Sequence, residues 1–215
     1  MSSWESPIAR VTRQLNNTND TVIGGGGTGA SGNSKYKGQL GAILWMGPNL
    51  IGQMTDTTVG TLYPGRFRYV RLRATDDDSP AITPGKLVFW DTTITDWQAK
   101  YQVTRDENLS SADNAIMIAG VYIGGFTPGN YGWIQDLGMV DVRFRSVLTA
   151  AGAIGSRVYA AAAGDTGDDQ GTADVLTTDS TSIASARYLG NAITAPAASA
   201  LDTIFLGFHN ILPGQ

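Results

Sequence analysis

The chain has 215 residues, a net charge of −4 and a pI near 4.8, so no global basic field draws it to nucleic acid. It contains no cysteine, which excludes disulfides, thiolate zinc sites and cysteine nucleophiles together. Its composition is 42% hydrophobic with 27 glycines, globular and rich in turns. A chain of this length buries roughly 70% of its unfolded surface and needs no metal to fold.

The chain starts Met1-Ser2-Ser3-Trp4-Glu5-Ser6-Pro7, a polar stretch without the apolar core of a signal peptide. No run approaches the roughly 18 apolar residues of a membrane span. Asn16 to Asp20 and Gly24 to Ser34 are dominated by Gly, Ser, Thr and Asn. Such residues bury little and lose much entropy on ordering. The expectation is an extended N-terminal arm over 1–37 and a β-rich body over 38–215. Trp4, Ile8, Arg10 and Arg13 are the arm's candidates for contact with another subunit, because an aromatic in a polar terminus makes sense as a plug for a partner's pocket.

From Gly38 onward the punctuation is that of a β protein. Three X-Pro-Gly turns occur, Tyr63-Pro64-Gly65, Thr83-Pro84-Gly85 and Thr127-Pro128-Gly129, with Pro fixing the first central φ and Gly supplying the positive one at the second. Each precedes a strand-like run. Arg66-Phe67-Arg68-Tyr69 alternates, and Val70-Arg71-Leu72-Arg73 alternates in the opposite phase. That slip predicts a bulge near Tyr69-Val70. Lys86 to Trp90 is apolar on both faces and predicts a central strand. Tyr131, Trp133 and Ile134 read as strand. In Val140 to Arg145, Val140, Val142 and Phe144 should face inward. Helical turns are expected only near Asp96 to Tyr101 and Ser110 to Asp113. The fold class is all-β, a barrel or a sandwich. Trp90 and Trp133 are expected in its core.

The second half echoes the first. Gly85 recurs as Gly155, 70 residues on, and the same offset pairs Val88 with Val158, Phe89 with Tyr159, Gly120 with Gly190, Ile123 with Ile193 and Ile134 with Ile204. This predicts two related β units of about 70 residues, with 85–135 equivalent to 155–205.

Little in the chain carries chemistry. Gly24, Gly26 and Gly29 match G-x-G-x-x-G, but Ser31 to Ser34 reads as loop where a dinucleotide site needs a helix. Asp76 to Asp78 and Asp165 to Asp169 read as solvated turns, since Gly167 falls where a calcium loop needs an oxygen ligand. His209 is the only histidine, and Glu5 and Glu107 are the only glutamates, so acid–base pairs are scarce. No cofactor or metal is implied, and the expectation is a protein that is not an enzyme. Arg66, Arg68, Arg71 and Arg73 put four cations within eight residues. They read either as a solvated strand face, paired with Asp76 to Asp78, or as a docking surface for an acidic protein.

Ala119-Gly120-Val121-Tyr122-Ile123, then Thr127-Pro128-Gly129-Asn130-Tyr131-Gly132-Trp133-Ile134-Gln135-Asp136-Leu137-Gly138, then Gly152-Ala153-Ile154-Gly155-Ser156-Arg157-Val158-Tyr159 resemble the small head proteins of tailed bacteriophages. The resemblance covers roughly residues 80–210. It implies a capsid decoration, or cement, protein that binds the outer face of the shell and bridges neighbouring capsomers. The partners it implies are the major capsid protein and further copies of the chain, as a homotrimer with a dimer as the alternative. Neither nucleic acid nor membrane is expected as a partner. The implied location is the virion's outer capsid surface, after synthesis in the host cytoplasm. The competing class is a carbohydrate- or receptor-binding β module of a head fibre or tail.

Overall fold

The computed structural model describes residues 40–47, 63–74, 82–94, 101–106, 111–112, 115–124, 128–129, 131–161, 169–175 and 188–207. The arm with Trp4, Ile8, Arg10 and Arg13 lies outside them, as do Asp76 to Asp78, Asp165 to Asp168, Trp97 and His209. Among the described residues there is no α-helix. The strands are β1 (Ile43–Met46), β2 (Gly65–Leu72), β3 (Leu87–Trp90), β4 (Gln102–Thr104), β5 (Ser111–Ala112), β6 (Ala115–Ile116), β7 (Ile118–Tyr122), β8 (Tyr131–Arg143), β9 (Arg157–Ala160), β10 (Ala173–Val175), β11 (Tyr188–Ala192) and β12 (Leu201–Leu206).

Five of them close into a barrel. β2 runs parallel to β4, β4 pairs with β3, β3 with β7, β7 with β8, and β8 returns to β2. β8 is long enough, at 13 residues, to serve a second ring. Its C-terminal half pairs with β12, and the ladder continues through β11 and β9 to β10. A single parallel bridge from Ala173 to Phe144 brings that ring back to the end of β8.

The two rings pair in the same register. Leu87↔Val121 and Val88↔Gly120 in the first correspond to Arg157↔Asn191 and Val158↔Gly190 in the second, each shifted by 70. Phe89↔Thr104 corresponds to Tyr159↔Asp174, and Tyr122↔Ile134 to Ala192↔Ile204. Even the irregularities repeat, since the pairing slips after Val88 in one ring and between Tyr188 and Gly190 in the other. Backbone conformation follows. Gly85 and Gly155 have φ of 89° and 84°, and each donates its N–H 2.8 Å to the carbonyl of the equivalent residue, Tyr122 or Ala192.

Each ring encloses an apolar cluster. Val70, Leu72, Val88, Trp90, Val103, Ala119 and Ile134 fill the first barrel. The equivalent Val142, Phe144, Val158, Ala160, Ala173, Leu189 and Ile204 lie in the second cluster. Size is traded between positions: Trp90 and Ala119 in one barrel become Ala160 and Leu189 in the other, as close packing requires. Leu87, Phe89, Ile118 and Val121, alternating onto the outside of the first barrel, join the second cluster. β3 is therefore buried on both faces, as its sequence predicts. Val140, Val142 and Phe144 point inward, also as expected.

Three local expectations are corrected. The strand does not slip at Tyr69-Val70; the register shift against β8 lies between Arg66 and Phe67, and Asp136 is the extra residue opposite it. The phase of the sequence pattern inverts because Arg66 and Arg68 alternate onto the same inward side as Val70 and Leu72, not because the backbone does. Ser111 and Ala112 do not begin a helix but pair with Ala115 and Ile116 as a short hairpin. Trp90 is core, whereas Trp133 is half-buried on the outer face, its ring 5.2 Å from that of Tyr69.

Candidate functional site

The four arginines of the β2 segment do not form one solvated row. Arg66 and Arg68 alternate inward and donate their Nε–H groups to the two carboxylate oxygens of Asp136, at 2.8 and 3.0 Å. The bulge delivers Asp136 there. It sets the carboxylate, only 1% exposed, between side chains that are 14% and 5% exposed. A buried carboxylate without such partners would stay neutral or destabilise the fold. Arg73 donates to Asp91 at 2.8 Å, and Asp91 also accepts from Gln102 and Thr93. Burial opposes ionisation of Asp91, but these donors outweigh it and hold its pKa below the ordinary value. Arg71 lies over the Tyr131 ring at 5.8 Å. Its Nε is sealed from solvent with no hydrogen-bond partner.

Exposed apolar side chains lie elsewhere. β1 is the terminal strand of the ten-stranded sheet, paired only with β2 among the described residues. It exposes Ile43 and Trp45, the latter 60% exposed. The Trp45 ring stacks under the Arg66 guanidinium at 5.8 Å, and Arg66 is itself held by Asp136. An exposed tryptophan on an unpaired sheet edge, steadied by a fixed cation, has the make-up of an interface anchor. Sequence reasoning passed over it. The signal was the apolar run Ile43-Leu44-Trp45-Met46 beside no turn of the X-Pro-Gly type. A second exposed apolar group, Ile193, Leu201 and Phe205, lies on the outside of the second ring.

Among the described residues no three His, Cys, Asp or Glu side chains converge as metal ligands. The ionic groups of the site hold strands together.

No protein-family model matches the chain, and no curated protein matches it. Among solved structures it is similar to the crystal structure of the head fiber gp8.5 N base in bacteriophage phi29, at 14% identity and a TM-score of 0.39, over 66% of this chain and 92% of that one. A likeness at that level defines neither the fold nor the function of this chain.

Proposed function

We propose that this protein is a structural component of a tailed-phage head, which attaches to the outer surface of the shell and cements neighbouring capsomers. The observation that carries the reading is the placement of the stretch resembling phage head proteins. Tyr131 to Gly138 belongs to β8, the strand that both rings share. That part of the resembling stretch thus builds the seam of a duplicated β body, a placement that supports a structural role. The head-fiber likeness names the same kind of particle but, at its TM-score, carries no weight.

The major capsid protein is the partner, met by the β1 edge through Ile43 and Trp45, with the arm residues Trp4, Ile8, Arg10 and Arg13 adding contacts to a neighbouring copy. Contacts that are modest singly become strong when many copies, or the subunits of one trimer, engage a lattice together. The role needs no catalysis and no cofactor. The test is co-sedimentation of the purified protein with expanded shells of the phage that encodes it. Trp45→Ala is expected to lower occupancy at least tenfold without changing the melting temperature. Unchanged occupancy would remove the β1 edge from the reading, and no association of the unmodified protein would remove the reading itself.

A further inference from the structure

The second ring exposes a face that the first ring buries. Gln135, Val121 and Ile123, on the outside of the first ring, are 0%, 0% and 4% exposed. Their equivalents 70 residues on are Phe205, Asn191 and Ile193. Phe205 is 50% and Ile193 37% exposed, and Asn191, paired with Phe205 across the strands, is exposed too. Leu201 lies on the same side of β12 as Phe205 and is 40% exposed, whereas Ile204 and Leu206 point inward. Ile154, 75% exposed, stands on the adjoining turn, where Gly155 donates its N–H to the Ala192 carbonyl at 2.8 Å. The segments that carry all five residues, 131–161 and 188–207, are described without a break. Large apolar side chains gathered on one face mark a contact surface.

Charge selects the partner. The chain carries −4 overall, so two copies repel through most of their surfaces. The loops beside this face, residues 146–156 and 193–201, contain no charged side chain. In the first ring the stretch between β2 and its turn holds Asp76, Asp77 and Asp78 instead. At the rim stand Asp141, which accepts the Thr203 hydroxyl at 2.7 Å, and Asp202, which accepts the Ala197 N–H at 2.8 Å. Arg143 and Arg157, the strand partners of Leu201 and Asn191, set two charges of the opposite sign against them.

A symmetric contact brings each residue near its own mate, where like charges oppose association. A neutral apolar centre inside a rim of balanced sign meets that requirement, and it offers a strongly charged partner no complement. Asn191 meets it as well. Its Oδ1 accepts the Tyr188 hydroxyl at 2.5 Å, which orients the amide, and an amide both donates and accepts, so it matches the same group of another copy. The loops are set in advance, with Ser156 Oγ accepting the Ala153 N–H and Thr194 Oγ1 the Thr203 N–H, both at 2.9 Å, which lowers the entropy lost on association. We propose that this face joins copies of the chain, with Phe205, Ile193 and Leu201 at the centre of the contact and Ile154 and Asn191 beside them.

Sedimentation equilibrium of the full-length protein, without shells, tests this contact separately from attachment to the shell. A mass of two copies or more is expected, against 22.7 kDa for one. Raising the salt concentration should leave the association unchanged or strengthen it, because the centre of the contact is uncharged. Phe205→Glu should weaken association at least tenfold while thermal unfolding stays that of the unmodified protein. Ile154→Glu, on an exposed turn, should weaken it severalfold, and it serves if Phe205→Glu does not fold. A single-copy mass at every concentration would overturn the proposal. So would an association that dissolves in high salt, which would point to an ionic contact elsewhere, or full association retained in the folded variants.

Discussion

Asp136 accepts the Nε–H of Arg68 at 3.0 Å from within a β-bulge, and both side chains are cut off from solvent. The pair, with Arg66 on the other carboxylate oxygen, fastens β2 to β8 at the base of the first barrel. Removing the anion leaves buried cations unpaired. Asp136→Ala is expected to cost about 3–5 kcal/mol in equilibrium denaturation, and Arg68→Ala should cost more than Arg66→Ala because Arg66 retains more access to water. Equal costs for the two arginines would show that burial does not set the energetics.

The duplicated glycines of β7 and β11 give a second test. A Cβ on Gly120 would stand 2.6 Å from the Gln135 carbonyl oxygen, and one on Gly190 would collide still more closely with that of Phe205. Each substitution to Ala forces two paired strands apart, at a cost of about 1–3 kcal/mol or more. Gly190→Ala should be the worse of the two in thermal unfolding. A neutral Gly190→Ala would contradict the close approach of β11 and β12.

Stability should fall in acid. Burial acts against ionisation at Asp91 and Asp169, yet hydrogen bonds from Thr93, Gln102 and Arg73 to the first, and from Ser146 to the second, hold both pKa values below the ordinary 3.8. A carboxylate with a depressed folded pKa adds stability above its unfolded pKa, and that stability is lost as pH falls through the folded value. Denaturation midpoints should therefore be flat near neutrality and drop below about pH 4. Asp91→Asn should lower stability at pH 7 by about 1–3 kcal/mol and make the acid drop shallower. An unchanged acid slope in that variant would assign the drop to other groups.

Ser199 holds a left-handed backbone, with φ of 59°. Relieving that backbone in Ser199→Gly is expected to raise stability by about 1 kcal/mol. A loss of stability would mean that the Ser199 hydroxyl holds the turn together.

Much of the architecture was legible because β proteins write it in short range. Turn chemistry placed Gly85 and Gly129 at positive φ but failed at Gly65, which is already extended as the first residue of β2; period-two alternation placed Val140, Val142 and Phe144 inside, and the recurrence of Gly85, Gly120 and Ile134 at one spacing marked equivalent pairing positions. The sharing of β8 was not legible, since no residue type announces that one strand serves two rings. Nor were the arginine partners. Asp136 lies about 70 residues from Arg66 in sequence, and a polar residue facing inward inverts the very pattern used to detect strands. Trp45 was missed for the opposite reason: an apolar run looks like core until the sheet is seen to end there among the described residues.

The central claim is attachment to a phage shell, and imaging settles it most directly. The purified protein would be added to expanded, undecorated shells of the encoding phage and the particles reconstructed by cryo-electron microscopy. The account predicts ordered density for a double-ring β body on the outer surface, bridging adjacent capsomers, with β1 facing the shell. Bare shells at saturating protein, or density confined to the tail, would contradict it.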